Sequence, residues 1–100
     1  MSETKLQRVI LDGLNAAGYW AFRVNSGMRG TVRLAPPGTP DICLPALGWM
    51  EVKDKEGKLR PAQVRWHERA AREGVRVAVV RSLADALRAA IEWKHGYKPV

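Results

Sequence analysis

Asp41, Glu51 and Lys53 are the residues of this chain whose types and spacing could do chemistry together. Two short runs, Asp41 to Leu44 and Trp49 to Lys53, flank the turn sequence PALG and read as a hairpin. Side chains alternate faces along a strand, so Glu51 and Lys53 project to one side, with Met50 and Val52 opposite. Pairing across the turn sets Asp41 across from or diagonal to Glu51, about 4.5 to 8 Å away, where like charges are destabilising. Ile42, Leu44, Met50 and Val52 can then share the buried face, which leaves the acids on a common polar face. A hard divalent cation removes the repulsion, because Mg²⁺ prefers oxygen ligands and takes one or two carboxylates while keeping several waters. Such an ion turns water into a nucleophile and stabilises an in-line phosphoryl displacement. Lys53 beside it can orient the attacking water or neutralise the developing phosphorane. The same spacing also fits an exposed hairpin with a Glu–Lys cross-pair and a stray aspartate, which would add little stability.

The flanking elements must hold these residues in place. From Thr4 to Ala17 the apolar residues Leu6, Val9, Ile10, Leu14 and Ala17 recur at helical spacing, with Ser2 or Thr4 as the cap. Glu3 and Gln7 fall on the edge of that stripe, an inward place for an acid. The helix should end near Gly18, and Tyr19 to Val24 is aromatic and β-branched enough for a strand. The Gly/Pro-rich stretch NSGMRGTVRLAPPGTP reads as a long loop or a twisted hairpin around Thr31 to Leu34. Pro61 opens a second helix as an N1 residue, and Gly74 closes it as C′. GVRVAVV is nearly all apolar, as in a strand covered on both faces. Ser82 and Asp85 make a capping-box start for a third helix, with Leu83, Leu87, Ala90 and Ile91 as its inward stripe. The order is helix, three strands, helix, strand, helix, with a frayed HGYKPV tail.

Length and charge narrow the function classes. One hundred residues make a single domain, 1–100, near the small end of what folds unaided, so dimerisation is a natural supplement. The hydrophobic fraction of 46% is that of a globular chain, and a net charge of +7 points to a polyanionic partner. Lone Cys43, inside an apolar run, reads as a small buried hydrophobe in a reducing, cytoplasmic setting. The N-terminus lacks the apolar core of a signal peptide, and no apolar run is long enough for a membrane span. Walker-type glycine loops, Gly-X-Ser-X-Gly and zinc-ligand spacings are absent, which speaks against ATP use and serine chemistry.

The segments GTPDI, WMEVKD and GKLRPAQVRWHERAAREGVRVAVV resemble the PD-(D/E)XK nuclease superfamily and, within it, the VRR-NUC family of stand-alone viral and bacterial proteins and of the Fanconi-associated nuclease. The likeness runs from Glu3 to about Leu87. It implies a restriction-endonuclease-like αβββαβ core, a mixed sheet flanked by helices. It further implies that Asp41 and Glu51 ligate Mg²⁺ or Mn²⁺, with the Val52 carbonyl as a further ligand and Lys53 as the catalytic lysine. Glu3 matches the family's glutamate on the first helix. Gln63 matches the glutamine that helps orient the lysine or a metal-bound water. Arg23 and Asn25, in FRVNSG, are similar to the strand and loop that enter the site. The expected chain is a bare nuclease core, without the substrate-selecting domains of larger members.

Lone members of that family imply a homodimer, and a twofold dimer presents two sites to two strands of related polarity. A four-way DNA junction is therefore the expected substrate. Flap or restriction-like duplex cleavage, a non-cleaving nucleic-acid-binding module, and a protein-interaction domain are the alternatives. Arg29 and Arg33 in the Gly/Pro stretch, and Lys55, Lys58 and Arg60 after the catalytic strand, lie where phosphates would pass. Arg65, Arg69 and Arg72 form a cationic stripe diluted by Glu68 and Glu73 and read as a solvated face. His67 reads as a packed or surface histidine, since the ion and lysine already supply the chemistry. Trp20, Trp49, Trp66 and Trp93 read as core or dimer-interface residues.

Overall fold

The computed structural model describes residues 1–24 and 35–96, and for residues 28–29 and 32–33 the backbone pairing alone. The chain runs α1 (Glu3–Ala16), β1 (Phe22–Arg23), β2 (Met28–Arg29), β3 (Val32–Arg33), β4 (Ile42–Leu44), β5 (Gly48–Val52), α2 (Pro61–Arg72), β6 (Val77–Val80) and α3 (Leu83–Lys94). It is an α/β fold with a four-stranded mixed sheet in the order β1-β4-β5-β6. β1, β4 and β5 pair antiparallel, while β6 lies parallel to β5. A parallel neighbour needs a crossover, and α2 supplies it. β2 and β3 form a separate two-stranded hairpin, as the Gly/Pro stretch suggested.

Local chemistry sets the helix ends. Ser2 Oγ accepts the Lys5 N–H at 3.2 Å and starts α1. Pro61 stands at the first position of α2, whose end is followed by Gly74 at φ +75°. Ser82 Oγ accepts the Asp85 N–H at 3.1 Å, but Asp85 Oδ2 turns to the Arg81 N–H at 3.0 Å, one residue beyond the capping-box partner.

The main core lies on one face of the sheet. Ile10 and Leu14 of α1 and Ala86 and Ala90 of α3 pack with Ile42, Leu44, Met50, Val52 and Val80. Complete burial of side chains such as Ile10 and Met50 is worth roughly 1.5–3 kcal/mol each. The four strand residues expected on the buried face are all there.

Several expectations need correction. The strand expected over Tyr19 to Val24 shrinks to two residues, and Trp20 is 68% exposed, so of its two expected places, core or dimer interface, the core is excluded. β6 is an edge strand, so Val79 stays 37% exposed and the strand is not covered on both faces. Ile91 is 49% exposed, because α3 turns Ala86 and Ala90 inward between Leu83 and Leu87. Among the described residues no helix is long and apolar enough to cross a membrane.

Candidate active site

The β4–β5 hairpin fixes the pair of acids. Leu47 N–H closes the turn on the Leu44 carbonyl at 2.8 Å, and the register pairs Ile42 with Met50. One step further along that register, Asp41 stands opposite Glu51. Asp41 Oδ2 accepts the Val52 N–H at 2.7 Å, and its carbonyl accepts the Val24 N–H at 2.8 Å. The acid is thus pinned between β1 and β5. N–H and C=O of one strand residue project to the same edge, so the Val52 carbonyl is directed to the Asp41 side.

The approach to Asp41 depends on Gly38. Its φ of +83° is a left-handed value, and a Cβ there would overlap the Ala62 carbonyl in the first turn of α2. Thr39 Oγ1 donates to the Pro36 carbonyl at 2.6 Å and closes the same turn. The Gly/Pro segment therefore seats Asp41 against the helix that covers Glu51.

Trp49, Glu51 and Lys53 share the face of β5 opposite Met50 and Val52. This polar face is closed to solvent, contrary to the exposed-hairpin alternative: Glu51 is 0% and Lys53 3% exposed. The reason is α2, which lies over it. Trp66 meets Trp49 edge-on at 5.3 Å between ring centroids. Gln63 Nε2 donates to Glu51 Oε2 at 3.3 Å, while Gln63 Oε1 accepts the Arg60 N–H at 2.8 Å. His67 Nε2 lies 3.3 Å from Glu51 Oε1. Both Glu51 oxygens are held from one helix.

The electrostatics follow from this burial. The Glu51 carboxyl is pushed up to about 9, first by burial, then by its hydrogen bond to Asp41 and by the Asp41 charge, with a further push from Glu3; Lys53 opposes the shift. The acid pair without a cation therefore keeps a proton at neutral pH. Burial pushes His67 down, so the ring is neutral, and raises the Cys43 thiol, so that buried cysteine is unreactive. Among the described residues, no carboxylate is within ion-pairing distance of the Lys53 amine.

Glu3 stands at the rim. Its Oε2 and Lys53 Cδ both approach the Gly57 Cα, at 3.2 and 3.3 Å from where a Cβ would sit. It acts on Glu51 through charge, and among the described residues no three His, Cys, Asp or Glu side chains converge as a ready-made cage. The oxygen donors on this edge are the Asp41 and Glu51 carboxylates, on residues that stand opposite each other, and the Val52 carbonyl, which points to the Asp41 side. That all-oxygen, anionic set matches a hard divalent cation, and the retained proton measures the negative charge such a cation would discharge.

Arg23, Lys55, Lys58 and Arg60 are all exposed, the last three on the segment that joins β5 to α2, while Arg23 pairs with Ile42 and lies toward α1. Asn25 and the side chains of Arg29 and Arg33 lie outside the described residues. Arg65, Arg69 and Arg72 are exposed on α2. Beside β4, a cavity of about 100 Å³ is lined by Thr4, Gln7, Arg8, Leu11, Arg23 and Ile42. Gln7 Oε1 is buried without a partner among the described residues.

Two contributors were missed from sequence. His67 reaches Glu51, and its position four residues after Gln63, on the same helical face, was the available signal. Arg81 donates from Nη1 to the Asp54 and Gly57 carbonyls at 2.6 and 2.8 Å, buckling the turn that follows Lys53 to the end of β6. Nothing local in the sequence marks it.

Comparison with known proteins gives no match. No family model, curated protein or solved structure is significantly similar to the chain. The site's own chemistry carries the functional reading.

Proposed function

We propose that this protein is a metal-dependent endonuclease that hydrolyses DNA phosphodiesters with PD-(D/E)XK chemistry on a restriction-endonuclease-like core. One observation carries the reading: a fully buried Glu51 paired with Asp41, two residues before a buried lysine, in a chain of net charge +7. A pure nucleic-acid binder gains nothing from two acids facing a polyanion. A scaffold gains nothing from burying them together.

Asp41, Glu51 and the Val52 carbonyl would hold Mg²⁺ or Mn²⁺, with Glu3 adding charge from the rim. When bound, the ion supplies activation of water and neutralisation of charge on the phosphoryl group. The rest falls to the chain. Lys53, without a carboxylate partner among the described residues, orients the attacking water and stabilises the charge building on the phosphate oxygens. A water oxygen bonds to phosphorus and gives up a proton to solvent, the bridging P–O bond breaks, and the leaving oxygen takes a proton from solvent. Gln63 ties Glu51 to the start of α2, so the acid keeps its place as charge moves. Arg23, Lys55, Lys58 and Arg60 bind flanking phosphates, an affinity that falls steeply with salt.

The order of helices and strands and the segments around Asp41, Glu51 and Gln63 support a VRR-NUC-like nuclease acting in the reducing cytoplasm. A twofold homodimer would present paired sites, and a four-way junction is the substrate that suits them. Labelled junction, flap and plain duplex DNA, each incubated with millimolar Mn²⁺, test the proposal. Junction cutting by the native chain, lost in Glu51→Gln with DNA binding retained, is the expected result. Efficient cutting of plain duplex without preference would remove the junction, and no hydrolysis of any DNA would remove the nuclease.

A further inference from the structure

Both carboxylate oxygens of Glu51 are contacted from α2. Gln63 reaches Oε2 and His67 reaches Oε1, both at 3.3 Å, from positions one turn apart on α2. The helix beneath them is itself fixed. Trp66 rests edge-on against Trp49, and the Gly38 turn presses on the Ala62 carbonyl. The imidazole is therefore delivered to Glu51 by a rigid support, without a mobile loop.

We propose that His67 is a positioning residue: its Nε2–H fixes one oxygen of Glu51, so that the carboxylate is presented to a divalent cation in a single orientation. The inference rests on the cation site proposed above. It assigns His67 neither general-base work nor direct ligation, because the nitrogen facing the site is committed to Glu51. A side chain with several rotatable bonds loses entropy when it ligates an ion, and a fixed donor behind it removes part of that loss in advance. Gln63 alone cannot do this, since one bond leaves the carboxylate free to rotate about it. Two donors to two oxygens define its plane. Groups of this kind, one step behind a ligand, typically change metal affinity about 10- to 100-fold when removed.

Mn²⁺ binding to the full-length, DNA-free protein, measured by calorimetry, tests the assignment. His67→Phe keeps a ring against Trp66 but has no N–H, and His67→Gln restores an amide donor in roughly the same place. The expected result is a Kd about 10- to 100-fold weaker for His67→Phe, recovering to within about threefold of native for His67→Gln. Thermal unfolding of the metal-free variants verifies that each is folded, and His67→Leu replaces the Phe variant should that one not fold. Native protein that binds Mn²⁺, with a donorless variant binding equally well, would overturn the role of His67 while leaving the cation site standing. Loss of binding in His67→Gln as severe as in His67→Phe would also overturn it, since that pattern belongs to a direct ligand. Native protein that takes up no Mn²⁺ would remove both proposals together.

Discussion

The two faces of β5, continued by Lys53 just past its end, are put to opposite uses. Met50 and Val52 enter an apolar interior made with α1 and α3, where fit and area decide stability. Trp49, Glu51 and Lys53 enter a second interior under α2, where the buried groups carry charge and hydrogen bonds. Glu51 and Lys53 are buried as fully as Met50 and Val52, yet the consequences are opposite. On the first face it stabilises the fold; on the second it forces a carboxyl to keep a proton to about pH 9 and stores a demand for positive charge. The comparison teaches that depth alone does not distinguish a core residue from a reacting one.

Substitutions on the two faces should separate cleanly. Glu51→Gln is expected to have the largest effect, cutting DNA hydrolysis by at least about 1000-fold, since Lys53 alone cannot do an ion's work. Its thermal midpoint without metal should stay level or rise, because a neutral amide replaces a crowded acid. A large drop in midpoint would make Glu51 a structural residue. Met50→Ala should do the reverse, costing about 2–5 kcal/mol in urea unfolding through the cavity it leaves. Any folded fraction should still bind Mn²⁺ normally.

Gly38→Ala tests the joint between the two regions. A Cβ at φ +83° against the Ala62 carbonyl should cost about 1–3 kcal/mol and displace Asp41, lowering cleavage together with stability. Unchanged hydrolysis with lowered stability would show that the Pro36–Thr39 turn supports the fold without setting the acid.

Much of this arrangement was legible in the sequence. The 3.6-residue period of Leu6, Ile10 and Leu14 marked α1, Pro61 and Gly74 bracketed α2, and the PALG turn set the register that brings Asp41 to Glu51. What was not legible is the covering of the second face. Alternation assigns Glu51 and Lys53 to a polar side but says nothing of what lies above it, and that depends on where α2 lands after crossing to β6. For the same reason the reading of His67 as a packed or surface histidine could not name Glu51 as what it packs on. Val79 and Ile91 failed in the other direction, because apolar character does not report that a strand is at an edge or which side of a helix turns inward.

Smaller, but definite in sign, is the pH effect of the charged face. Glu51 holds its proton to about 9 in the metal-free fold and only to 4.5 as an ordinary carboxyl. Between those values the native state binds more protons than the unfolded chain, so this group makes stability fall as pH rises from about 4.5 to about 9. Glu51→Gln should flatten that part of the stability profile, whereas Met50→Ala should leave its slope as it is. Uptake of Mn²⁺ at pH 7 should displace the proton, and calorimetry in buffers of differing ionisation enthalpy should find about one proton released per ion. Uptake without proton release would mean the ion is not held by Glu51.

The most direct test of the central claim is anomalous diffraction from crystals soaked in millimolar Mn²⁺. The account predicts a peak between the Asp41 and Glu51 carboxylates, within ligand distance of the Val52 carbonyl. An empty position there, with Glu51 still in contact with Gln63 and His67, would contradict it.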